Sequence, residues 1–332
     1  MSDEGLLTKE ELQQIYYFML LGRKLDELVW QLNRAGKVPF AVSCQGHEAA
    51  QAGTALAFKR ELDWLCPYYR DLVLVLMWGQ SPRDHLLSVL AKAEEPNSAG
   101  RQMPSHFGDR RYRILSGSSP VATQASHAVG LAYAARMKKS EAVVLTSCGD
   151  GSINQGEWHE ACNFAGTHRL PVIFLVENNG YAISVPYTKQ TGGQIFNRAI
   201  GYGFHGVQVD GTDPLAVYQE MRNAVQRART GEGPTLVEAK VPRLKPHSTD
   251  DDERLYRGEQ ELMQARELDP VLLFKKRLEG QGFWQEAEEQ ALVAKIQLSL
   301  KEALNYAEQA DAPDPNTIAK HLFAESAAVT SK

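Results

Sequence analysis

A parallel β-sheet flanked by helices on both faces, an α/β fold with helical extensions at its N- and C-termini, is what this sequence predicts. Three observations carry that prediction. Short apolar runs at 142–147, 171–177, 207–210 and 235–241 do not alternate with polar residues, as expected of strands buried on both sides. Stretches with helical spacing separate these runs, which is the pattern of βαβ units. Long helical patterns stand before and after the block.

Residues 8–33 read as a long helix. Thr8 and Glu11 have the spacing of a capping box, and Leu12, Ile15, Tyr16, Met19 and Leu20 recur at helical intervals. A second helix is expected at 48–58, where Ala49, Ala50, Ala52, Gly53 and Ala55 suggest close packing, and a third at 83–93. Residues 94–120 are rich in Gly, Pro, Ser and Arg, and long ordered loops of this kind are often functional. A small-residue helix at 123–138 and a strand at 142–147 follow, then a helix at 156–168 and a strand at 171–177. After the short strand at 207–210, Asp213 and Pro214 supply the N-cap and N1 residues of a helix reaching 229. The strand at 235–241 is the last. A polar, acidic loop opens at His247, and the charged remainder from 259 is largely helical, most clearly at 287–309, before Pro313 and Pro315. Residues 326–332 are expected to fray. This reading divides one structural domain into an N-terminal helical segment (1–95), an α/β core (96–258) and a C-terminal helical extension (259–332).

Composition excludes several classes. The 332 residues carry 36 basic and 41 acidic side chains, a net charge of −5, which argues against a broad nucleic-acid-binding face. No apolar run approaches the roughly 18–20 residues of a membrane span. The opening Met1-Ser2-Asp3-Glu4 has neither the basic nor the apolar region of a secretory signal. Cys44, Cys66, Cys148 and Cys162 lack C-x-x-C spacing and suit a reducing cytosol. A cytoplasmic protein with no nucleic-acid or membrane partner is expected. A nicotinamide-binding fold would need G-x-G-x-x-G after an early strand, and none stands there.

The chemistry concentrates at two strand ends. Cys148-Gly149-Asp150-Gly151-Ser152 closes one buried strand, and Glu177-Asn178-Asn179-Gly180-Tyr181 closes the next. A right-handed βαβ unit brings both to the carboxyl edge of the sheet, where open α/β folds bind ligands. A carboxylate beside a carboxamide oxygen suits Mg²⁺ or Ca²⁺ better than zinc. Glycines around Asp150 allow backbone N–H groups close to a phosphate. Each piece alone is also a common turn.

Gly-Asp-Gly followed by Asn-Asn one helix later resembles the thiamin diphosphate-binding motif. Further words narrow the resemblance: Gln45-Gly46-His47-Glu48-Ala49-Ala50, Tyr69-Arg70-Asp71, Gly100-Arg101-Gln102-Met103-Pro104, Ser118-Ser119-Pro120, Thr123-Gln124, Tyr181-Ala182-Ile183-Ser184 and Pro246-His247-Ser248. Together, over residues 8–270, they resemble the alpha subunit of the decarboxylating first component of 2-oxo acid dehydrogenase complexes, the branched-chain type most closely.

The resemblance implies a thiamin diphosphate-binding fold and a set of roles. Asp150 and Asn179 match side-chain Mg²⁺ ligands, and Tyr181 matches a backbone-carbonyl ligand. Gly149, Gly151 and Ser152 match positions at the diphosphate, which Tyr69 and Arg70 grip. Ser119, Val121 and Ile183 match cofactor-lining positions, Val121 against the aminopyrimidine. His247 matches a catalytic histidine on a loop over the cofactor. Ser118, Pro120, Thr123 and Gln124 match a K⁺ site, His106 a histidine near the substrate channel, and Ser248 a serine phosphorylated in animal relatives. Read without the family, Tyr69 is a buried aromatic, Arg70 a surface ion pair with Asp71, His247 a solvated loop residue beside acidic neighbours and Ser248 an ordinary loop hydroxyl. Small polar residues before a helix also serve as caps, and His127 and His159 read as packing or surface residues.

In two-subunit relatives the glutamate that acts on the aminopyrimidine belongs to the beta subunit. The resemblance therefore implies half an active site, an α₂β₂ heterotetramer, a 2-oxo acid substrate and a lipoyl-bearing acyltransferase as acceptor. Pyruvate or acetoin dehydrogenases share the motifs. A non-catalytic scaffold subunit could have dispensed with Asp150, Asn179 or His247, and all three are present.

Overall fold

The structure is a computed structural model that describes residues 7–320 and 322, so the expectation for 326–332 lies outside the described residues. The chain begins with α1 (Lys9–Arg34), α2 (Glu48–Leu56), β1 (Trp64–Cys66), α3 (Leu72–Trp78) and α4 (Pro82–Val89). Then come α5 (Thr123–Met137), β2 (Val144–Gly149), α6 (Gly156–Thr167), β3 (Val172–Asn178), β4 (Tyr181–Ala182) and β5 (Val185–Pro186). The rest comprises α7 (Arg198–Gly201), β6 (His205–Asp210), α8 (Pro214–Arg229), β7 (Thr235–Lys240), α9 (Glu259–Glu267), α10 (Pro270–Gly280) and α11 (Glu286–Gln309).

Five parallel strands form one sheet in the order β1-β2-β3-β7-β6. The period-2 geometry of a strand splits each apolar run between two cores. Ile173 and Leu175 of β3 join Leu145 and Val237 in a cluster with α3 and α8 residues such as Trp78, Val217 and Met221. Val172, Phe174 and Val176 face the other way, with Val144 and Leu236, into a cluster roofed by α5 and α6. Both faces are covered, which is why these strands do not alternate.

A third core lies among the helices. Ile15, Met19 and Leu25 of α1 pack with residues of α3, α4, α10 and α11, such as Val73, Leu86, Phe274 and Leu300. The expected capping box is present: Glu11 N donates to Thr8 Oγ1 (3.2 Å), and Thr8 N donates to the Glu11 carboxylate (2.7 Å). Arg23 of α1 donates to Glu48 of α2 (2.6 Å) and to both oxygens of Asp269 ahead of α10 (2.8 and 2.9 Å), tying three helices together. Asp213 and Pro214 start α8 as anticipated, with Leu215 N donating to Asp213 Oδ1 (2.9 Å).

Some elements were not legible. β1 has three residues, too short to show a period, and α3 is apolar on every side. The stretch before residue 95, read as helical, thus also supplies an edge strand. β2 starts two residues later than anticipated, because Val143 N is taken by the Asp63 side chain (2.9 Å). α4 stops at Val89 rather than 93. No helix among the described residues is long and apolar enough to cross a membrane.

Candidate active site

Three adjacent strand ends build the site. β1 runs into Tyr68, Tyr69, Arg70 and Asp71, β2 into Asp150 and Gly151, and β3 into Asn179. In-register pairing sets Gly149 opposite Glu177, so the second and third segments leave the sheet side by side. A cavity of about 460 Å³ opens above them. Tyr69, Arg70, Ser118, Ser119, Pro120, Val121, Gln124, Gly149, Gly151, Ser152, Asn179, Tyr181, Ile183 and His247 all line it, as does His106. Two of the anticipated residues are not in the lining. Asp150 is fully buried between the two lining glycines, and Thr123 is the first residue of α5.

Asp150 carries the most informative electrostatics. Its Oδ2 accepts from Gln190 Nε2 (3.0 Å), while its buried Oδ1 has no hydrogen-bond partner among the described residues. Burial pushes its carboxyl up to about 6. An unpartnered buried carboxylate oxygen is costly unless a cation or donor meets it. Asn179 accepts from Tyr181 N at its Oδ1 (3.2 Å). No group of three His, Cys, Asp or Glu side chains suited to a metal occurs among the described residues. One carboxylate, one carboxamide and one main-chain carbonyl instead fit a hard divalent cation that completes its shell with phosphate or water. Gly151 is needed for the geometry, since a Cβ there would stand 2.6 Å from Ala182 Cβ on the β4–β5 hairpin.

Arg70 is buried, not a surface residue, and it does not pair with Asp71. Its Nη1 donates to Ser43 O (2.8 Å), and its Nη2 donates to Nδ1 and to the carbonyl of His247 (3.0 Å each). Asp71 accepts from Tyr68 N (3.0 Å) and Ser147 Oγ instead; burial, with Glu177 nearby, holds its carboxyl well above the usual range. Tyr69 is no buried aromatic: it is 37% exposed, in the cavity wall, with its ring edge-on to that of His247.

His247 is not a freely solvated loop residue. Its N–H donates to Asp251 Oδ2 (2.7 Å), and its loop is tied to residue 41 by Thr249 N donating to Ala41 O (3.0 Å). Burial, reinforced by the charges of Arg70 and Arg243, lowers the imidazole to about 4. The ring is therefore neutral near pH 7. Because Arg70 can only donate, Nδ1 is the acceptor and Nε2 carries the proton. Ser248 is buried, and its Oγ accepts from Asp250 N (3.3 Å).

The 118–124 segment does not cap its helix with a polar side chain. The N-cap of α5 is Ala122, in the left-handed region (φ 70°) and without a side-chain cap. Thr123 Oγ1 donates to Pro120 O (3.1 Å), and Gln124 Nε2 donates to Ser147 O (3.0 Å). His106 Nδ1 donates to Met103 O (3.0 Å), so its Nε2 accepts from Ser119 Oγ (2.7 Å). His127 is exposed on α5, and His159 bonds the Tyr202 hydroxyl. Phe40 and Met103 line the cavity without having been singled out as site residues. Met103 lies within the Gly100–Pro104 motif; Phe40 and Gln190 carry no local signal.

Residues 16–316 match the family described as dehydrogenase E1 component. The 2-oxoisovalerate dehydrogenase subunit alpha of Bacillus subtilis is 50% identical, over 96% of this chain and 97% of that protein. The 3-methyl-2-oxobutanoate dehydrogenase subunit alpha of Mycobacterium tuberculosis is 38% identical, over 93% of this chain and 81% of that protein. The pyruvate dehydrogenase E1 component subunit alpha of Staphylococcus aureus is 34% identical, over 92% and 80%.

Proposed function

The chain belongs to the dehydrogenase E1 component family, and we propose that it is the alpha subunit of a branched-chain 2-oxo acid dehydrogenase acting with thiamin diphosphate and Mg²⁺. The observation that carries the cofactor assignment is Asp150: a buried carboxylate oxygen without a protein partner, at the end of β2, beside Asn179 and Tyr181. In this reading Asp150, Asn179 and the Tyr181 carbonyl hold the cation. The backbone at Gly149, Gly151 and Ser152 receives the diphosphate, and Arg70 and Tyr69 meet it from the β1 side. Ser119, Val121 and Ile183 face the rest of the cofactor.

Thiamin diphosphate, when bound, supplies the carbon nucleophile and electron sink for decarboxylation. The chain's own part is orientation and proton handling. His247 presents a neutral ring with its proton on Nε2, able to donate a hydrogen bond at the cavity. Phe40, Met103, Val121 and Ile183 give the cavity apolar walls that suit a branched aliphatic side chain. Val121, Met103 and Ile183 are each about half exposed (51%, 51% and 55%), so the cavity lacks a cover on that side. That supports a beta subunit completing the site in an α₂β₂ heterotetramer, with acyl transfer to a lipoyl-bearing acyltransferase. The oxygens of Ser118, Pro120, Thr123 and Gln124 are the proposed K⁺ ligands.

Pyruvate is the second reading, favoured by the Staphylococcus aureus relative, and the higher identity to the Bacillus subtilis protein weighs against it. One methylene is worth only about 1–3 kcal/mol of discrimination, so substrate must be measured. The test is reduction of an artificial acceptor by this chain assembled with its beta subunit, Mg²⁺ and thiamin diphosphate. The panel is 3-methyl-2-oxobutanoate, 4-methyl-2-oxopentanoate, pyruvate and acetoin. Preference for the branched acids is expected. Preference for pyruvate or acetoin would move the protein to a sister complex, and inactivity of a formed tetramer would favour a scaffold.

A further inference from the structure

His47 touches no cavity surface and is fully buried, yet it contacts a proposed metal ligand. It precedes α2 in a turn made by Gly46 (φ 101°), whose missing Cβ would stand 2.0 Å from Pro242 O. Gly46 N donates to Glu48 Oε2 (2.7 Å), which fixes the turn.

From His47 a hydrogen-bond chain runs in both directions, and its fixed amide partners orient it. Val73 N donates to Gln51 Oε1 (3.0 Å), and Gln51 Nε2 donates to Arg70 O (2.9 Å), so the Gln51 amide has one orientation. Gln51 Nε2 also donates to Glu177 Oε2 (3.2 Å), which makes that oxygen an acceptor. Tyr68 Oη donates to it as well (3.1 Å), so Oε2 is taken as an ionised acceptor, and His47 Nδ1, 2.5 Å away, as its third donor, carrying the ring proton. A neutral ring then has its lone pair on Nε2. Asn179 Nδ2 lies 3.3 Å from Nε2 and donates to it. At the other end of the amide, Tyr181 N donates to Asn179 Oδ1 (3.2 Å). The two ends agree.

We infer that His47 is a positioning residue for the metal. Glu177 selects its tautomer, and the ring then locks the Asn179 carboxamide with its NH₂ inward and its oxygen toward the Tyr181 loop. A reversed amide would set oxygen against the imidazole lone pair and NH₂ against the Tyr181 N–H. An outer partner of this kind fixes a ligand's orientation without touching the metal. The inference rests on the Mg²⁺–thiamin diphosphate reading above.

The test uses the chain assembled with its beta subunit. Thiamin diphosphate uptake is followed by equilibrium dialysis across a Mg²⁺ titration, and circular dichroism and melting temperature report folding. His47→Gln can accept from Asn179 and donate to Glu177, and it should keep the Mg²⁺ midpoint within about threefold. His47→Phe fills similar volume with neither function, and it should raise the midpoint by about tenfold or more. If His47→Phe does not assemble, His47→Met carries the same test. An unchanged midpoint in folded His47→Phe or His47→Met overturns the inference, as does a tenfold shift in His47→Gln. A purely structural role would lower the melting temperature in all variants and leave the midpoints together. Wild-type protein without Mg²⁺-dependent uptake would sink the cofactor reading itself, which separates that failure from this one.

Discussion

One guanidinium nitrogen, Nη2 of Arg70, holds both the ring and the main chain of His247, donating to Nδ1 and to the carbonyl oxygen at 3.0 Å each. The ring is thereby denied its proton on the Arg70 side, and its remaining N–H is fixed. With burial as the larger cause and Arg70 next, the folded imidazole titrates at about 4 instead of 6.5. Between these values the unfolded chain binds a proton that the folded chain refuses. This group therefore removes stability as pH falls from 6.5 to 4 and has no effect above that window. NMR of the His247 Cε1 proton in the cofactor-free protein should show a midpoint near 4. Arg70→Met should raise it part of the way, since burial stays. A wild-type midpoint near 6.5 would refute the assignment.

Asp150 has the opposite sign. Burial raises its carboxyl from 3.8 to about 6, so its contribution to stability is present below 3.8 and lost as pH rises through 6. Asp150→Asn should leave the cofactor-free protein as stable as wild type at pH 7.5, or more so, and retain its circular dichroism. Mg²⁺-dependent uptake of thiamin diphosphate should fall by more than the roughly 10–100-fold that follows loss of a group merely orienting a ligand. Asn179→Ala should do the same. Full uptake in either variant would remove that residue from the metal site.

Residues near one another in sequence were readable, and those brought together by tertiary packing were not. Gly149, Asp150 and Gly151 declare themselves because a turn closes a buried strand there, and Thr8 and Glu11 because a capping box spans only four residues. β1 is invisible at three residues, although it is what delivers Arg70 to the site. Local sequence alone offers Arg70 an ion pair with its neighbour Asp71, as an alternative to the diphosphate role that the resemblance implies; its partners are Ser43 and His247, far away along the chain. The Asp71–Ser147 and His47–Glu177 contacts likewise join separate segments, and no local spacing encodes them. Ala122 begins α5 in a left-handed conformation that its residue type does not advertise.

Phe174 is 1% exposed and packs near Trp158 and Phe204, with ring centroids 6.3 and 6.0 Å away. Phe174→Ala should cost about 3–5 kcal/mol in urea unfolding of the isolated chain, from lost burial plus the cavity left behind. Phe164 on α6 is 36% exposed, and its truncation should cost far less. If Phe164→Ala becomes strongly destabilising only when the beta subunit is present, that face of α6 is covered in the assembly. Equal costs for the two variants in the isolated chain would contradict the packing described for β3.

Gly151→Ala tests how tightly the Gly-Asp-Gly turn and the β4–β5 hairpin share space. The new Cβ would lie 2.6 Å from Ala182 Cβ and 3.1 Å from its Cα, neither of which can swing aside as a side-chain tip can. The hairpin must move, and it carries Tyr181, whose carbonyl is a proposed cation ligand, and Ile183, whose carbonyl accepts from Arg243 (2.8 Å). Overpacking of this kind costs about 1–3 kcal/mol. Weakened Mg²⁺–thiamin diphosphate binding should accompany a modest fall in melting temperature. Gly156→Ala is the control, because nothing stands within 4 Å of its added Cβ, and its effect on stability should stay within about 1 kcal/mol. Should Gly151→Ala bind cofactor as wild type does, the close approach of hairpin and turn would not be what sets the metal geometry.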